Sequence, residues 1–496
     1  MGYPDPADDR NPLLVTGAAE DPPLVTDLDG TLVVTDTLLE GALSLIRRKP
    51  WLLPWMAVWL IRGKAVLKSE IAARGALDPE KLPYRPELVE YLRAERNGGR
   101  SIVLATAAPQ TTAKGVAAYL ELFDLVLASS DSVNLKGTLK RDELVGRFGV
   151  KGFDYIGDSR ADAPVWAACR MGHIAGSMRR LPNSALSAGT VQGRVFPGPA
   201  REFQTLLRAI RVHQWVKNLL VFVPAILNRH VDGEIFRNLG IAFLSFSFVA
   251  SGTYLSNDLF DLAPDRQHPR KRKRGLASGQ ISIVQGIALA IGLVGGGVLL
   301  SLAVSRQLTA CLLIYLALTT LYSCFLKGKP ILDVIVLAIL YTLRVYTGGL
   351  VSGAFVSPWL FQFSIFLFLS LAFVKRYSEL LGLRQRREHL APGRGYRFRD
   401  LTVISQAGVG SGLLAGLVLA LYVNGQDSRN VYPHPEMLWG ICPLFVYWII
   451  RVWLVAHRGN MHDDPILFAF RDKVSYIVGF LIVVAAVLGM VPNVSR

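Results

Sequence analysis

Asn257-Asp258-Leu259-Phe260-Asp261-Leu262-Ala263-Pro264-Asp265-Arg266-Gln267-His268-Pro269-Arg270-Lys271-Arg272-Lys273-Arg274 closes an apolar run that begins at Leu239. Residues at i, i+3 and i+7 share one face of a helix, so Asp258, Asp261 and Asp265 point one way at the mouth of a membrane helix. A cluster of bases follows directly. Basic residues beside a bilayer commonly touch anionic headgroups. That account leaves the acids unexplained, because each aspartate weakens headgroup attraction and a carboxylate near a bilayer is costly unless paired or coordinated. Hard oxygen ligands next to surplus cations suit a metal-bound polyphosphate held at a membrane surface.

Outward from this stretch the chain of 496 residues divides in two. Residues 1 to about 200 read as a soluble α/β unit, whereas apolar runs of about 20 residues, the length a spanning helix needs, recur from 210 onward. Nine spans are expected, near 211–229, 239–257, 281–304, 307–326, 331–351, 358–375, 402–424, 436–456 and 474–492. The first is the least regular, since Gln214 and Lys217 fall inside it. Loops after the second, fourth, sixth and eighth spans carry nineteen lysines and arginines, among them Arg386, Arg387 and Arg394; the opposite loops carry Arg229, Arg237, Arg306 and Arg429. The positive-inside rule then predicts a multi-pass protein of the inner (cytoplasmic) membrane, with the soluble unit and the aspartate motif on the cytoplasmic side. Much of the net charge of +16 lies on that face, where anionic lipid and anionic substrate account for it without a nucleic-acid partner. Met1 to Glu20 is polar and acidic, lacks the pattern of a signal peptide, and reads as a disordered N-terminus over 1–20. Cys169, Cys311, Cys324 and Cys442 are scattered and read as small apolar packers.

The soluble unit, 21–180, carries its own chemistry. Leu24-Val25-Thr26 is a short buried-strand pattern ending in Asp27-Leu28-Asp29-Gly30-Thr31-Leu32, which puts two carboxylates at a strand's carboxyl end, where open α/β sheets bind ligands. Three more signals follow in order: a strand that ends at Thr106, a loop presenting Lys136 and Lys140, and Phe153-Asp154-Tyr155-Ile156 running into Gly157-Asp158-Ser159-Arg160-Ala161-Asp162. These four stations resemble the haloacid dehalogenase (HAD) superfamily of phosphotransferases, over roughly 20–185. The resemblance implies a Rossmann-like parallel sheet with a helical cap. It implies Asp27 as nucleophile, Asp29 as acid/base, and Thr106 with a lysine, Lys140 or alternatively Lys136, as holders of the phosphoryl oxygens. Mg²⁺ would be bound by Asp27 and Asp158, with Asp29 counted in the metal set and Asp162 supporting it. The physics agrees, because a carboxylate nucleophile needs charge neutralisation before it can approach a phosphate.

Residues 36–100 are expected to form the cap. Within them Trp51 to Leu60 holds three tryptophans flanked by Arg47, Arg48, Lys49, Arg62 and Lys64. Such a stripe is ordinarily core packing, and it fits an interfacial helix with aromatic anchors almost as well. Residues 181–207, rich in Pro and Gly, read as a linker to the membrane domain at 208–496.

In that all-α domain the aspartate motif resembles the UbiA superfamily of intramembrane transferases, whose fold is nine helices around a cytoplasm-facing cavity. Prenyltransferases of that superfamily carry a second acidic motif, and here the matching region, Tyr322 to Asp333, holds one acid and the two bases Lys327 and Lys329. The details are similar instead to the decaprenyl-phosphate phosphoribosyltransferases: Arg211 to Asn218, the aspartate motif, Tyr322 with Lys327 and Asp333, Arg344 before Thr347-Gly348-Gly349, and Lys375-Arg376-Tyr377. Asp463-Asp464-Pro465 and Arg471-Asp472 also resemble this branch and receive no role.

The resemblance implies phosphoribosyl diphosphate as donor and a polyprenyl (decaprenyl) phosphate lipid as acceptor. Two phosphates must then meet, which demands cations in number. Lys217, Lys271, Arg274, Lys327, Arg344, Lys375 and Arg376 are that supply. Mg²⁺ on Asn257, Asp258 and Asp261 would neutralise the leaving diphosphate, with Asp265, Tyr322, Asp333 and Tyr377 joining the substrate-binding set. The product would carry a 5-phosphate, which a fused phosphomonoesterase would remove to give polyprenylphosphoryl ribose, a cell-envelope sugar precursor. Two alternatives stay open: a prenyl-diphosphate prenyltransferase with an independent phosphatase, and a polyprenyl-phosphate carrier with a regulatory phosphatase domain. Prenyl chain length is not fixed by the sequence, and a homo-oligomer is left open.

Overall fold

The computed structural model describes residues 21–490 apart from 75–76, 131–132, 177–181, 199–202, 228–231, 355, 386–394 and 462–463. The expected disordered stretch 1–20, Arg386, Arg387, Arg394, Arg229 and Asp463 lie outside the described residues. Two compact units emerge, Met1–Ala209 with Ser256–Ala288, and Ile210–Leu255 with Leu289–Arg496. The loop that carries the aspartate motif thus belongs with the N-terminal unit. Sequence order gives no hint of that.

The first unit holds six strands, β1 Leu24–Thr26, β2 Ile102–Pro109, β3 Leu125–Ser129, β4 Asp154–Gly157, β5 Met171–Gly176 and β6 Val191–Pro197. They form one all-parallel sheet in the order β3-β2-β1-β4-β5-β6. Short continuous apolar runs such as Leu24-Val25 and Ile102-Val103-Leu104 form such strands because both sheet faces are covered. Helices α1 Thr37–Arg48, α2 Leu53–Arg62, α3 Lys64–Arg74, α4 Pro86–Asn97, α5 Gln110–Leu120 and α6 Thr138–Phe148 follow in chain order. Alternation along the strands sorts them: Leu24, Ile102, Leu104 and Ile156 pack with α4 and α5, while Val25, Val103 and Tyr155 pack with α6 and Trp166.

Three details depart from the sequence reading. Helix α4, inside the expected cap 36–100, buries Leu88, Val89 and Leu92 in the sheet core, so only α1 to α3 form a separate cluster, around Leu45, Trp59 and Ile71. Strand β2 runs past Thr106 to Pro109 with a register shift after Ala105. The expected linker 181–207 is largely folded, because β6 pairs with β5 and short helices cover Asn183–Ser187 and Phe203–Ala209. An edge strand needs few apolar residues, which hid β6 among its glycines and prolines.

The second unit is helical. Among the described residues, seven helices are long and apolar enough to cross a membrane, namely Gly233–Phe260, Ile283–Leu302, Arg306–Leu326, Leu332–Ser352, Pro358–Gly382, Phe398–Asn424 and Pro435–His457. The expected first and ninth spans are shorter. Val212–Phe222 is a 3₁₀ helix that continues as an α-turn over Val223–Leu227, and Lys473–Gly489 has 17 residues. Small residues let the helices close up. A Cβ at Gly408 would meet the Trp453 ring at 2.1 Å, and Ser370 Oγ donates to the Gly408 carbonyl at 2.7 Å.

Candidate active sites

Sheet order reverses between β1 and β4, the place where a doubly wound sheet leaves a crevice for ligands. Asp27 follows β1 and Asp158 follows β4, so the two carboxylates flank it. Lys140 arrives from the first turn of α6. Its Nζ lies 3.1 Å from Asp27 Oδ2 and 3.6 Å from Asp162 Oδ1, and it donates to the Tyr155 hydroxyl at 3.0 Å. Tyr155 in turn donates to Asp162 Oδ1 at 2.7 Å, while Asp162 Oδ2 accepts from the amide and hydroxyl of Ser159. Lys140, not the exposed Lys136, meets Asp27.

Carboxylate oxygens of Asp27, Asp158 and Asp162 lie within 4.8 Å of one another, the one such trio among the described residues. Hard oxygens at this spacing fit a magnesium ion. Gly30, at φ +76°, keeps the approach open, since a Cβ there would stand 2.1 Å from Asp158 Oδ2. Asp29 stands outside the trio, its Oδ1 accepting from the Thr37 amide at 2.8 Å at the start of α1. Thr106 is fully buried and its Oγ1 accepts from the Ala108 amide at 3.0 Å.

Burial raises the Asp27 carboxyl, with Asp162 adding to the effect and Lys140 opposing it. Burial and then Asp36 push Asp29 up to about 7. Asp158 is likewise pushed up to about 7, by burial and then by Asp162 and Asp27. A carboxyl that keeps its proton near neutrality can give it to a departing alcohol.

In the same unit, the aspartate motif is held by guanidinium groups. Arg274 donates to Asp258 Oδ1 at 2.9 Å and to Asp265 Oδ2 at 2.6 Å, and Arg47 of α1 lies 3.1 Å from Asp261 Oδ1. Lys271 is 3.8 Å from Asp265. Carboxylate and carboxamide oxygens of Asn257, Asp258 and Asp261 are a donor set that suits magnesium. The neighbouring Arg266 makes a two-pronged, nearly buried pair with Glu40 of α1, at 2.6 and 2.9 Å.

The helical unit gathers a second set of charges. Lys217, on the 3₁₀ segment, donates to Asp464 Oδ2 at 2.7 Å, and Lys375 donates to the same oxygen at 3.2 Å. Burial alone would raise Asp464; Lys375 and Lys217 outweigh it and hold the carboxyl well below the usual range. Arg344 donates to Asn218 Oδ1 at 2.7 Å and to the Tyr315 hydroxyl at 2.9 Å, with its guanidinium over the Tyr315 ring. Arg376 pairs with Asp333, both side chains almost fully buried, and donates to Tyr322 at 2.9 Å. Asp333 also accepts from Tyr396. Arg376, Asp333, Tyr322 and Tyr396, of which the first three were expected to bind substrate, are thus joined in one hydrogen-bonded network. Tyr377 shares a hydrogen bond with His457 at 2.8 Å, and Lys327 sits at the end of the π-turn Tyr322–Leu326.

Residues 219–474, half of the chain, match the UbiA prenyltransferase family. The chain belongs to the UbiA prenyltransferase family. It is 36% identical over 472 residues to the protein y4nM of Sinorhizobium fredii, covering 94% of this chain and 91% of that one. It is 35% identical to the nodulation protein NoeC of Azorhizobium caulinodans, over 55% of this chain and 90% of NoeC. A decaprenyl-phosphate phosphoribosyltransferase of Corynebacterium glutamicum is 34% identical over 185 residues, 36% of this chain and 54% of that one. In this UbiA-family protein the residue that sequence reasoning left without a role is Asp464. Its partners are 247 and 89 residues away, so pairing was invisible; the one local signal was an acid before proline, a helix start that the Ile466 amide confirms by donating to Asp464 Oδ1.

Proposed function

We propose that the membrane domain transfers 5-phosphoribose from phosphoribosyl diphosphate to a polyprenyl phosphate, and that the N-terminal unit is a HAD-type phosphomonoesterase that removes the 5-phosphate. The observation that carries the transferase half is the pair of lysines on one buried carboxylate. Lys217 and Lys375 share Asp464, and an anionic ligand that draws on them finds two cations already placed. The likeness to the C. glutamicum phosphoribosyltransferase supports the donor. So does the engagement of Asp333 with Arg376, which leaves the Tyr322 to Asp333 region a poor second clamp for a prenyl diphosphate.

In this reading a lipid phosphate oxygen attacks the anomeric carbon, the new C–O bond forms as the bond to diphosphate breaks, and the carbon inverts. Asp258, Asp261 and Asn257 would hold Mg²⁺, which supplies neutralising charge for the leaving diphosphate. Lys217, Lys375, Lys327, Lys271 and Arg274 bind and orient the two anions, so catalysis is positioning and charge stabilisation. Arg344 holds Asn218 and with it the 3₁₀ segment.

The phosphatase half rests on Lys140 at 3.1 Å from Asp27 beside Asp158 and Asp162. Asp27 attacks phosphorus, and Asp29 gives its proton to the departing alcohol. Asp29 then takes a proton from the water that cleaves the phosphoaspartate, so ester and water become alcohol and phosphate. Asp27, Asp158 and Asp162 would hold Mg²⁺, with Asp29 serving the proton.

Membranes supplied with labelled phosphoribosyl diphosphate and polyprenyl phosphate test both halves. Wild type should yield lipid-linked ribose and free phosphate, and Asp27→Asn should accumulate lipid-linked 5-phosphoribose. Reaction of a prenyl diphosphate with an aromatic acid, and not of phosphoribosyl diphosphate, would overturn the transferase reading. Identical phosphorylated lipid from wild type and Asp27→Asn would overturn the phosphatase reading.

A further inference from the structure

Between Glu40 and Glu70 the chain holds no acidic residue, while Arg47, Arg48, Lys49, Arg62, Lys64 and Lys68 are spread along it. The middle of this stretch is α2, and its apolar side chains are out. Trp51, in the turn just before it, is 66% exposed, and within it Trp55 is 55% and Ile61 86% exposed, whereas Trp59 is buried. A soluble surface seldom shows so many large apolar groups together. Aromatic anchors with a cationic flank and no acid describe a helix that lies in the headgroup layer of an anionic leaflet.

A second observation, independent of the first, is the cleft above Asp27. Its volume is about 1440 Å³, more than the roughly 300–1,000 Å³ of ordinary small-molecule sites and far more than a sugar phosphate fills. The floor is polar, with Asp27, Asp158 and Lys140. Leu60 of α2 and Leu67 of α3 line one side, and Ile283 and Val284 line another. Those last two open the helix Ile283–Leu302, one of the seven long enough to cross a membrane, and they belong to the same compact unit as the cleft. One cleft therefore joins a phosphate-handling floor to the rim of an exposed apolar helix and the root of a membrane-crossing one.

We infer that α2 seats the N-terminal unit on the anionic membrane surface and that the cleft takes phosphate monoesters borne on a lipid, drawn from the leaflet, in preference to soluble ones. The seating stands on exposure and charge; the substrate class rests on the phosphatase reading above. The leaflet is the committed occupant because the chain is already anchored in it, and the missing acids match its charge.

The full-length chain in nanodiscs containing anionic lipid tests both parts, with Cys324→Ser and Cys442→Ala removing the accessible native thiols. A nitroxide on Ile61→Cys should collide with dissolved oxygen more than with a water-soluble nickel chelate. Val150→Cys is the reference, since Val150 is 68% exposed at the turn before β4, the opposite end of that strand from Asp158. Nickel accessibility at Ile61 equal to that at Val150 overturns the seating. The double variant Trp55→Glu, Ile61→Glu touches neither floor nor nucleophile. It should leave hydrolysis of a soluble aryl phosphate unchanged and raise the KM for a lipid-borne phosphate monoester by at least about tenfold, given the apolar area withdrawn. Equal effects on both substrates, or on neither, overturn the substrate class. Oxygen-rich contact at Ile61 in a wild type that hydrolyses no phosphate ester leaves the seating intact, and the phosphatase reading is what fails.

Discussion

Gly30 sits where an L side chain is strained, and a Cβ would collide with a carboxylate that the phosphatase reading gives to the metal. Gly30→Ala should therefore lower release of phosphate from a small soluble ester by about two orders of magnitude, as displacements of around 1 Å do. Lipid phosphoribosylation by the same membranes should persist. Asp464→Asn keeps the shape and removes the charge between two lysines. Breaking such a pair costs about 3–5 kcal/mol, so the solubilised protein should melt earlier and transfer should fall at least about tenfold. His173 gives a pH signature. It is buried in β5, its Nδ1 accepts from the Arg194 amide at 2.9 Å, and burial pushes it down to about 4. The unfolded imidazole titrates near 6.5, so between these values the unfolded chain binds more protons and this group's contribution to stability is lost as pH falls, by about 3 kcal/mol in all, while Asp29 and Asp158, pushed up to about 7, act in the opposite sense. Calorimetry at pH 7, 5.5 and 4.5 should show the first unit's transition in wild type falling relative to that of His173→Gln as the pH is lowered, a difference that isolates this one group. Asp27, Asp29 and Asp158 were legible because each ends a strand pattern. Asp464 was not, because a charge pair across hundreds of residues leaves no local trace.

At the scale of elements, close approach decides which contacts can be tested. A Cβ at Gly348 would lie 1.9 Å from the Val221 carbonyl, so the helix Leu332–Ser352 touches the 3₁₀ segment backbone to backbone. Gly348→Val should destabilise by about 1–3 kcal/mol, read as a lower melting point in detergent, and Gly240→Val, with open space around it, should not. Long apolar helices were legible from length and composition. The first segment was expected as a span of ordinary helix and is a shorter one that begins in 3₁₀ form, because hydropathy registers apolar content and is blind to backbone type. The tryptophan stripe was ambiguous for a related reason: three aromatics within ten residues fit a core or an interface, and only the exposure of Trp51 and Trp55 beside buried Trp59 separates them.

For the whole molecule, the two proposed activities should fail together when magnesium is chelated and return together when it is restored, yet separate by mutation. Asp258→Asn should remove transfer and spare hydrolysis of a soluble phosphate. The division into two units was legible because apolar runs start near 210. That loop 256–288 joins the first unit was not, since contacts such as Arg266 with Glu40 span 226 residues. The 3₁₀ segment Val212–Phe222 carries a consequence for how the protein is made. Eleven residues of 3₁₀ are longer than such helices usually run, so this stretch depends on neighbours to hold it. Some of that support is made soon after, since Trp215 donates to Ser251 and Asn218 to Ser247; Arg344, which clasps Asn218, is 126 residues downstream. At about 5–20 residues per second, the ribosome delivers that arginine roughly 6–25 s after the asparagine. The clasp that fixes the segment therefore forms well after the segment itself is made, and Lys217 meets Asp464 only once a residue 247 positions further on has been synthesised.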